Sequence, residues 1–120
     1  MTLTFQHLGT DSNGDTEIAG RGLRVYTILG EYEMGMSAET IADEYDIPVA
    51  AVHEALAYAA EHPDEMETIT REDKEAEERW LAGLPEHLRQ IAIEGIENGE
   101  RSRQEAIRKA KEARRSTLVP

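Results

Sequence analysis

The sequence predicts a mainly α protein, with a short N-terminal β-hairpin, a three-helix helix-turn-helix domain and a helical C-terminal extension. Three observations predict it. Apolar residues recur at helical spacing from Val25 onward. Break residues then divide that stretch into three short helices. After Met66 the composition shifts to a run dense in Glu, Asp, Lys and Arg. The expected division is therefore a domain over residues 1–66 and a charged helical extension over residues 67–120.

The hairpin is expected from weak alternation over residues 3–8, with Leu3 and Phe5 on one side. The turn cluster Asp11-Ser12-Asn13-Gly14-Asp15 follows, and then Thr16-Glu17-Ile18-Ala19. Gly20-Arg21-Gly22 breaks the pattern, and Val25, Ile28, Leu29 and Tyr32 mark helix one. Met34-Gly35 ends it, because glycine takes the left-handed conformation that closes a helix. Ser37 is a natural N-cap for helix two, which carries Ile41, Ala42 and Tyr45. Asp46-Ile47-Pro48 is the next boundary, since proline has a fixed φ and no N–H and so suits a first helical turn. Helix three carries the stripe Val49, Val52, Leu56 and Ala59 and stops at His62-Pro63.

In the extension, residues 67–79 offer only Ile69 and Ala76 as apolar side chains before Trp80-Leu81, which predicts a solvated helix running into a contact. Gly83-Leu84-Pro85 restarts the chain. Leu88, Ile91, Ala92 and Ile96 form a narrow seam expected to stop at Asn98-Gly99, and Ser102 with Glu105 three residues on forms a capping box that predicts a last helix. The apolar side of that helix is only Ala106, Ile107, Ala110 and Ala113. Isolated helices of this length are marginal in water, so residues 67–120 are expected to be partly ordered until a partner or a second subunit covers the seams.

Charge and composition bound the function. The chain holds 25 acids and 13 bases, a net charge of -12, and no cysteine. Disulfides and thiolate metal sites are thereby excluded, as suits a reducing compartment, and a cytoplasmic location is expected. Neither a signal-peptide pattern nor a run of ~18 apolar residues is present, so no membrane association is expected. The lysines are Lys74, Lys109 and Lys111 alone, and many carboxylates with little lysine point to a halophilic source. Near 1 M salt the Debye length falls to ~3 Å, which screens most of the self-repulsion. Residues 1–99 hold 22 acids and six bases, a charge of -16, whereas residues 100–120 hold three acids and seven bases, a charge of +4. The tail is a separate electrostatic unit.

Motifs for chemistry are absent. The Asp11 cluster resembles the start of a calcium loop, but Thr16 and Gly22 stand where that loop needs its glycine and its bidentate glutamate. Gly20-Arg21-Gly22 lacks the remainder of a nucleotide-binding fingerprint. His7, His53, His62 and His87 have no metal-ligand spacing, and no nucleophile motif occurs. No metal and no cofactor are expected, and the chain is not expected to be an enzyme. The candidate partner-binding residues are Trp80, Leu81, Leu84, Leu88 and Ile91, with Trp80 read as an interface anchor among charged neighbours. Arg21, Arg24 and His53 are the candidate nucleic-acid contacts, opposed by Glu54 and Glu61 on the same helix three.

The pieces Ile18-Ala19-Gly20, Val25-Tyr26, Ile28-Leu29, Gly35-Met36-Ser37-Ala38-Glu39, Ile41-Ala42, Tyr45, Val52-His53 and Ala55-Leu56-Ala57-Tyr58-Ala59-Ala60-Glu61-His62-Pro63 occur in order. On these, residues 18–66 resemble the domain-of-unknown-function 433 family. Arg21-Gly22-Leu23-Arg24 and Tyr45-Asp46-Ile47-Pro48 depart from the family pattern. The resemblance implies a helix-turn-helix antitoxin of a toxin-antitoxin pair, which neutralises a cognate PIN-like nuclease toxin through its C-terminal segment and represses its own operon as a homodimer on operator DNA. Such nucleases gather carboxylates around a divalent metal. Arg101, Arg103, Arg108, Arg114 and Arg115, with Lys109 and Lys111, then form a suitable plug, because guanidinium pairs bidentately with carboxylate. The competing expectations are a solvated helix whose charges pair with one another, a protein-interaction adaptor, or a DNA-binding regulator without a toxin, including one that binds DNA through its basic tail.

Overall fold

Three short strands precede five helices over residues 5–118, which the computed structural model describes. Strand β1 (Leu8–Thr10) pairs antiparallel with β2 (Thr16–Ile18), and β2 with β3 (Leu23–Arg24), in the order β1-β2-β3. Leu8 faces Ile18, Thr10 faces Thr16, and Ile18 faces Leu23. Asp11 sets this register, since its backbone N–H donates to the Asp15 carbonyl at 2.8 Å and its carboxylate accepts from the N–H groups of Asn13 and Asp15 at 2.8 and 2.9 Å. The first strand therefore abuts the turn and lies later than the expected residues 3–8, where Leu3 falls outside the described residues. A third strand also extends the expected hairpin. It forms because Gly20 (φ 74°) and Gly22 (φ 66°) reverse the chain after Ile18, a conformation that costs glycine little.

Helices α1 (Val25–Glu33), α2 (Ala38–Tyr45) and α3 (Val49–Glu61) follow at the expected breaks. Gly35 takes φ 110° after α1, and the Ser37 hydroxyl accepts the Thr40 N–H at 3.1 Å to cap α2. Helix α2 closes on Asp46 in the left-handed region (φ 53°), where the Ile47 N–H returns to the Ala42 carbonyl at 3.0 Å. Ile18, Val25, Ile28, Ile41, Ile47, Ala51, Val52, Ala55 and Ala59 are buried together where α1 and α2 pack on α3 and the sheet packs on α1. The buried stripe of α3 is rotated from the expected one. Val49 is exposed and Leu56 half-buried, because Ala51, Ala55 and Ala59 recur every four residues and let a neighbouring helix approach closely.

Helix α4 (Pro63–Ala82) and helix α5 (Glu86–Leu118) complete the chain. The break expected at Asn98-Gly99 does not occur, and Ser102 lies inside α5 instead of capping a last helix. No proline interrupts residues 86–118, and a helical glycine costs only about 1 kcal/mol. Arg101 donates to Asn98 across the site, and side-chain pairs tie the turns that follow it: Gln104 to Glu100 at 2.9 Å, Lys109 to Glu105 at 3.3 Å and Arg108 to Glu112 at 2.9 Å. Each such pair adds ~0.2–0.5 kcal/mol. The chain forms two compact units, Met1–Met66 and Glu67–Pro120. Among the described residues, no helix is long and apolar enough to cross a membrane.

Candidate functional site

Two surfaces hold the candidate residues. On the first unit, α2, the turn Asp46-Ile47-Pro48 and α3 place Val49, Ala50, His53, Ala60 and Glu61 on an exposed face. The Arg21 guanidinium donates to the Asp46 carbonyl at 3.0 Å, which fixes this cation beside the start of α3. Arg24 is held elsewhere, with its guanidinium 3.9 Å from the Asp15 carboxylate and 5.4 Å over the Tyr26 ring. Of the three candidate nucleic-acid contacts, the structure thus brings Arg21 and His53 toward the α3 surface and gives Arg24 to the sheet. Glu54 does not face outward as expected. Its carboxylate accepts from the backbone N–H groups of Gln6 and His7 and pairs with the His7 ring. Burial pushes this carboxyl upward, but the hydrogen bonds from the His7 ring and from the Gln6 and His7 N–H groups outweigh it and leave its pKa lowered.

Behind that face, Tyr58 is a hub. Its ring lies edge-on to Phe5 and stacks on His62 at 3.9 Å between centroids. Its hydroxyl donates to Glu65 at 2.6 Å and accepts from Thr16 at 3.0 Å, and burial followed by the Glu65 bond raises its pKa. A second tyrosine-carboxylate pair joins α2 to α1, where Tyr45 donates to Glu31 at 2.8 Å. That bond, reinforced by burial, pushes the phenol up to about 12. These networks hold the scaffold, and among the described residues no group of acids and histidines is placed to bind a metal ion.

On the second unit, Trp80 is 56% exposed, Leu88 44% and Ile91 66%, while Leu81 and Leu84 are half-buried. Trp80 is therefore a surface side chain, available to a partner. Arg89 organises the turn between α4 and α5 by donating to the carbonyls of Leu81 at 2.9 Å, Ala82 at 3.3 Å and Leu84 at 2.8 Å. In the tail, Arg103 lies 4.0 Å from Glu100, Arg108 pairs with Glu112, and Arg101 donates to the Asn98 side chain. Arg114 is half-buried and Arg115 exposed. Within the helix Arg103, Arg108 and Lys109 lie against the three tail acids, and seven bases against three acids leave residues 100–120 with an excess of positive charge.

Residues 12–59 match the model of a family described as protein of unknown function, DUF433. This stretch of the first unit, called the DUF433 domain below, is thus similar to that family. The match opens at the β1–β2 turn and ends inside α3, so α4 and α5 lie outside it. No curated protein and no solved structure matches the chain. Arg21 and Asp46, which meet at the α2–α3 turn, both lie within the matched residues. Sequence reasoning missed that contact, the inward turn of Glu54 and the part played by Arg89. The signal for Arg89 was its place four residues after Pro85, within reach of the carbonyls that end α4.

Proposed function

We propose that this protein is antitoxin-like, with the second unit binding and neutralising a PIN-like nuclease toxin and the DUF433 domain serving as its folded scaffold. The supporting observation is the pairing, outside the DUF433 domain, of a mostly exposed tryptophan with a helix whose last third is basic in an otherwise acidic chain. Trp80 anchors an apolar pocket of the nuclease. The tail arginines Arg101, Arg103, Arg108, Arg114 and Arg115 meet the carboxylates that such a nuclease uses to hold its metal, since guanidinium and carboxylate pair through two parallel hydrogen bonds. Leu88 and Ile91, both exposed, extend that apolar contact.

The test is co-expression with a small nuclease encoded beside this chain. Growth is restored by the full chain and not by residues 1–66 alone or by Trp80→Ala combined with reversal of Arg108 and Arg115. Equal rescue by residues 1–66 overturns the proposal. Operator binding is a second reading, supported by Arg21 at the α2–α3 turn and by the removal of Glu54 from the exposed face. It ranks lower, because the first 99 residues carry -16 and phosphate contact requires clustered cations.

A further inference from the structure

The chain contains two Asn-Gly steps, Asn13-Gly14 and Asn98-Gly99, and the fold treats them differently. After an asparagine, a glycine nitrogen reaches the side-chain carbonyl carbon with the least obstruction, because glycine carries no Cβ. Asn13 and Gly14 are both exposed in the β1–β2 turn. Gly14 takes φ 88°, and a side chain added to it would meet nothing within 4 Å. Its N–H donates to the Asp11 carbonyl at 3.1 Å, and the Asn13 side-chain amide has no hydrogen bond among the described residues. Asn98 and Gly99 are exposed too, but they lie inside α5, where the Gly99 N–H belongs to the helix ladder and helical ψ holds that nitrogen away from the Asn98 side chain. The Asn98 amide oxygen also accepts from Arg101.

We propose that Asn13 is a site of spontaneous deamidation and backbone isomerisation that loosens the β1–β2 hairpin as the protein ages, while Asn98 is protected. The Gly14 nitrogen, on losing its proton, attacks Asn13 Cγ. An N–Cγ bond forms and closes a five-membered imide, the Cγ–Nδ2 bond breaks, and the amide group leaves as ammonia with that proton. Water then opens the ring. Addition at Cγ gives aspartate, and addition at the main-chain carbonyl gives isoaspartate, in which the chain runs through the former side chain. Neither step needs an oxidant, a reductant or a second protein. An exposed turn opens at little cost, so the Gly14 N–H is released often. Isoaspartate adds one bond of about 1.5 Å to the main chain. It does so where the Asp11 carboxylate holds the N–H groups of Asn13 at 2.8 Å and Asp15 at 2.9 Å, and where the Asp11 N–H reaches the Asp15 carbonyl at 2.8 Å. The added bond displaces these contacts, which set the β1–β2 register, and the new carboxylate is repelled by Asp11 and Asp15. The proposal is independent of the toxin reading.

The full chain is incubated at mildly alkaline pH, once folded and once in urea. The peptides containing Asn13 and Asn98 are then followed by mass spectrometry, and isoaspartate is counted by enzymatic methylation. In the folded chain Asn13 is expected to convert at least about tenfold faster than Asn98, whose backbone N–H is released only when α5 opens. In urea the two are expected to convert at similar rates. The isoaspartyl form, separated from the unaged chain, is expected to unfold at a lower urea concentration than Asn13→Asp, which carries the new charge without the added bond. No conversion at Asn13 in the folded chain, conversion at Asn98 that is as fast, or an isoaspartyl form as stable as Asn13→Asp each overturns the proposal. So does a preference for Asn13 that persists undiminished in urea, since the fold would then have no part in it.

Discussion

Replacing Arg89 by alanine removes three hydrogen bonds at once, two from the end of α4 and one from the turn that follows it. The last carbonyls of a helix have no partner within it, and Arg89 supplies one to Leu81, Ala82 and Leu84 through its Nε and one Nη. Hydrogen bonds involving a charged group each contribute about 1.5–3 kcal/mol when shielded. Arg89 is only half-buried and water takes over part of its role, so the loss is expected to be about 1–2 kcal/mol, local to the second unit. Amide hydrogen exchange reads it directly. Protection of backbone N–H groups over residues 79–92 is expected to fall by about 5–30-fold, and that of α1–α3 to stay unchanged. Arg89→Lys keeps the charge but reaches one carbonyl at a time, so it is expected to recover less than half. Unchanged protection in Arg89→Ala, or full recovery with lysine, would refute the reasoning.

Ser37→Ala is expected to cost about 1 kcal/mol in urea denaturation by removing the cap of α2, with Ser37→Asp close to wild type. Asp46→Gly is expected to raise stability by up to about 1 kcal/mol, since the left-handed backbone there suits glycine and the Arg21 contact is to a carbonyl that remains. Tyr45→Phe leaves the Glu31 carboxylate without its donor and is expected to cost about 1–2 kcal/mol. Because the Tyr45 phenol is raised to about 12, its contribution is complete below pH 10 and is lost as pH rises toward 12, a loss the phenylalanine variant will not show in alkaline melts. Glu54 has the opposite sign. Its folded pKa lies below the ordinary 4.5, so its contribution is complete above that value and is lost as pH falls through the folded pKa. Glu54→Gln is expected to flatten the acid limb of the stability curve, and an unchanged limb would remove Glu54 from the account.

The breaks around α1, α2 and α3 were legible because each depends on one local backbone preference: Gly35 for a positive φ, Ser37 for a cap, Pro48 for a first turn. What escaped the sequence depended on contacts or on competition. The alternation over residues 3–8 was too weak to set a strand register, which the Asp11 turn sets instead. Asn98-Gly99 read as a stop signal, yet no proline enforces a stop there, and Arg101 bonds back to Asn98 while pairs from Glu100 to Glu112 support the turns beyond. In helix three Val52 and Ala59 face the core as expected, but Ala51 and Ala55 are buried where Val49 and Leu56 were read. Glu54 read as a solvated acid because its partners, Gln6 and His7, lie 48 and 47 residues away in the chain. In the second unit the exposed apolar and basic residues were legible from composition, since no packing decides their position.

Cleavage of a labelled RNA by the proposed partner, a small nuclease encoded beside this chain, titrated with the chain, tests the antitoxin reading most directly. The account predicts that cleavage stops at one full-length chain per nuclease and that residues 1–66, which contain the whole DUF433 match, have no effect. Cleavage that continues under excess full chain, or that residues 1–66 stop equally well, would contradict it.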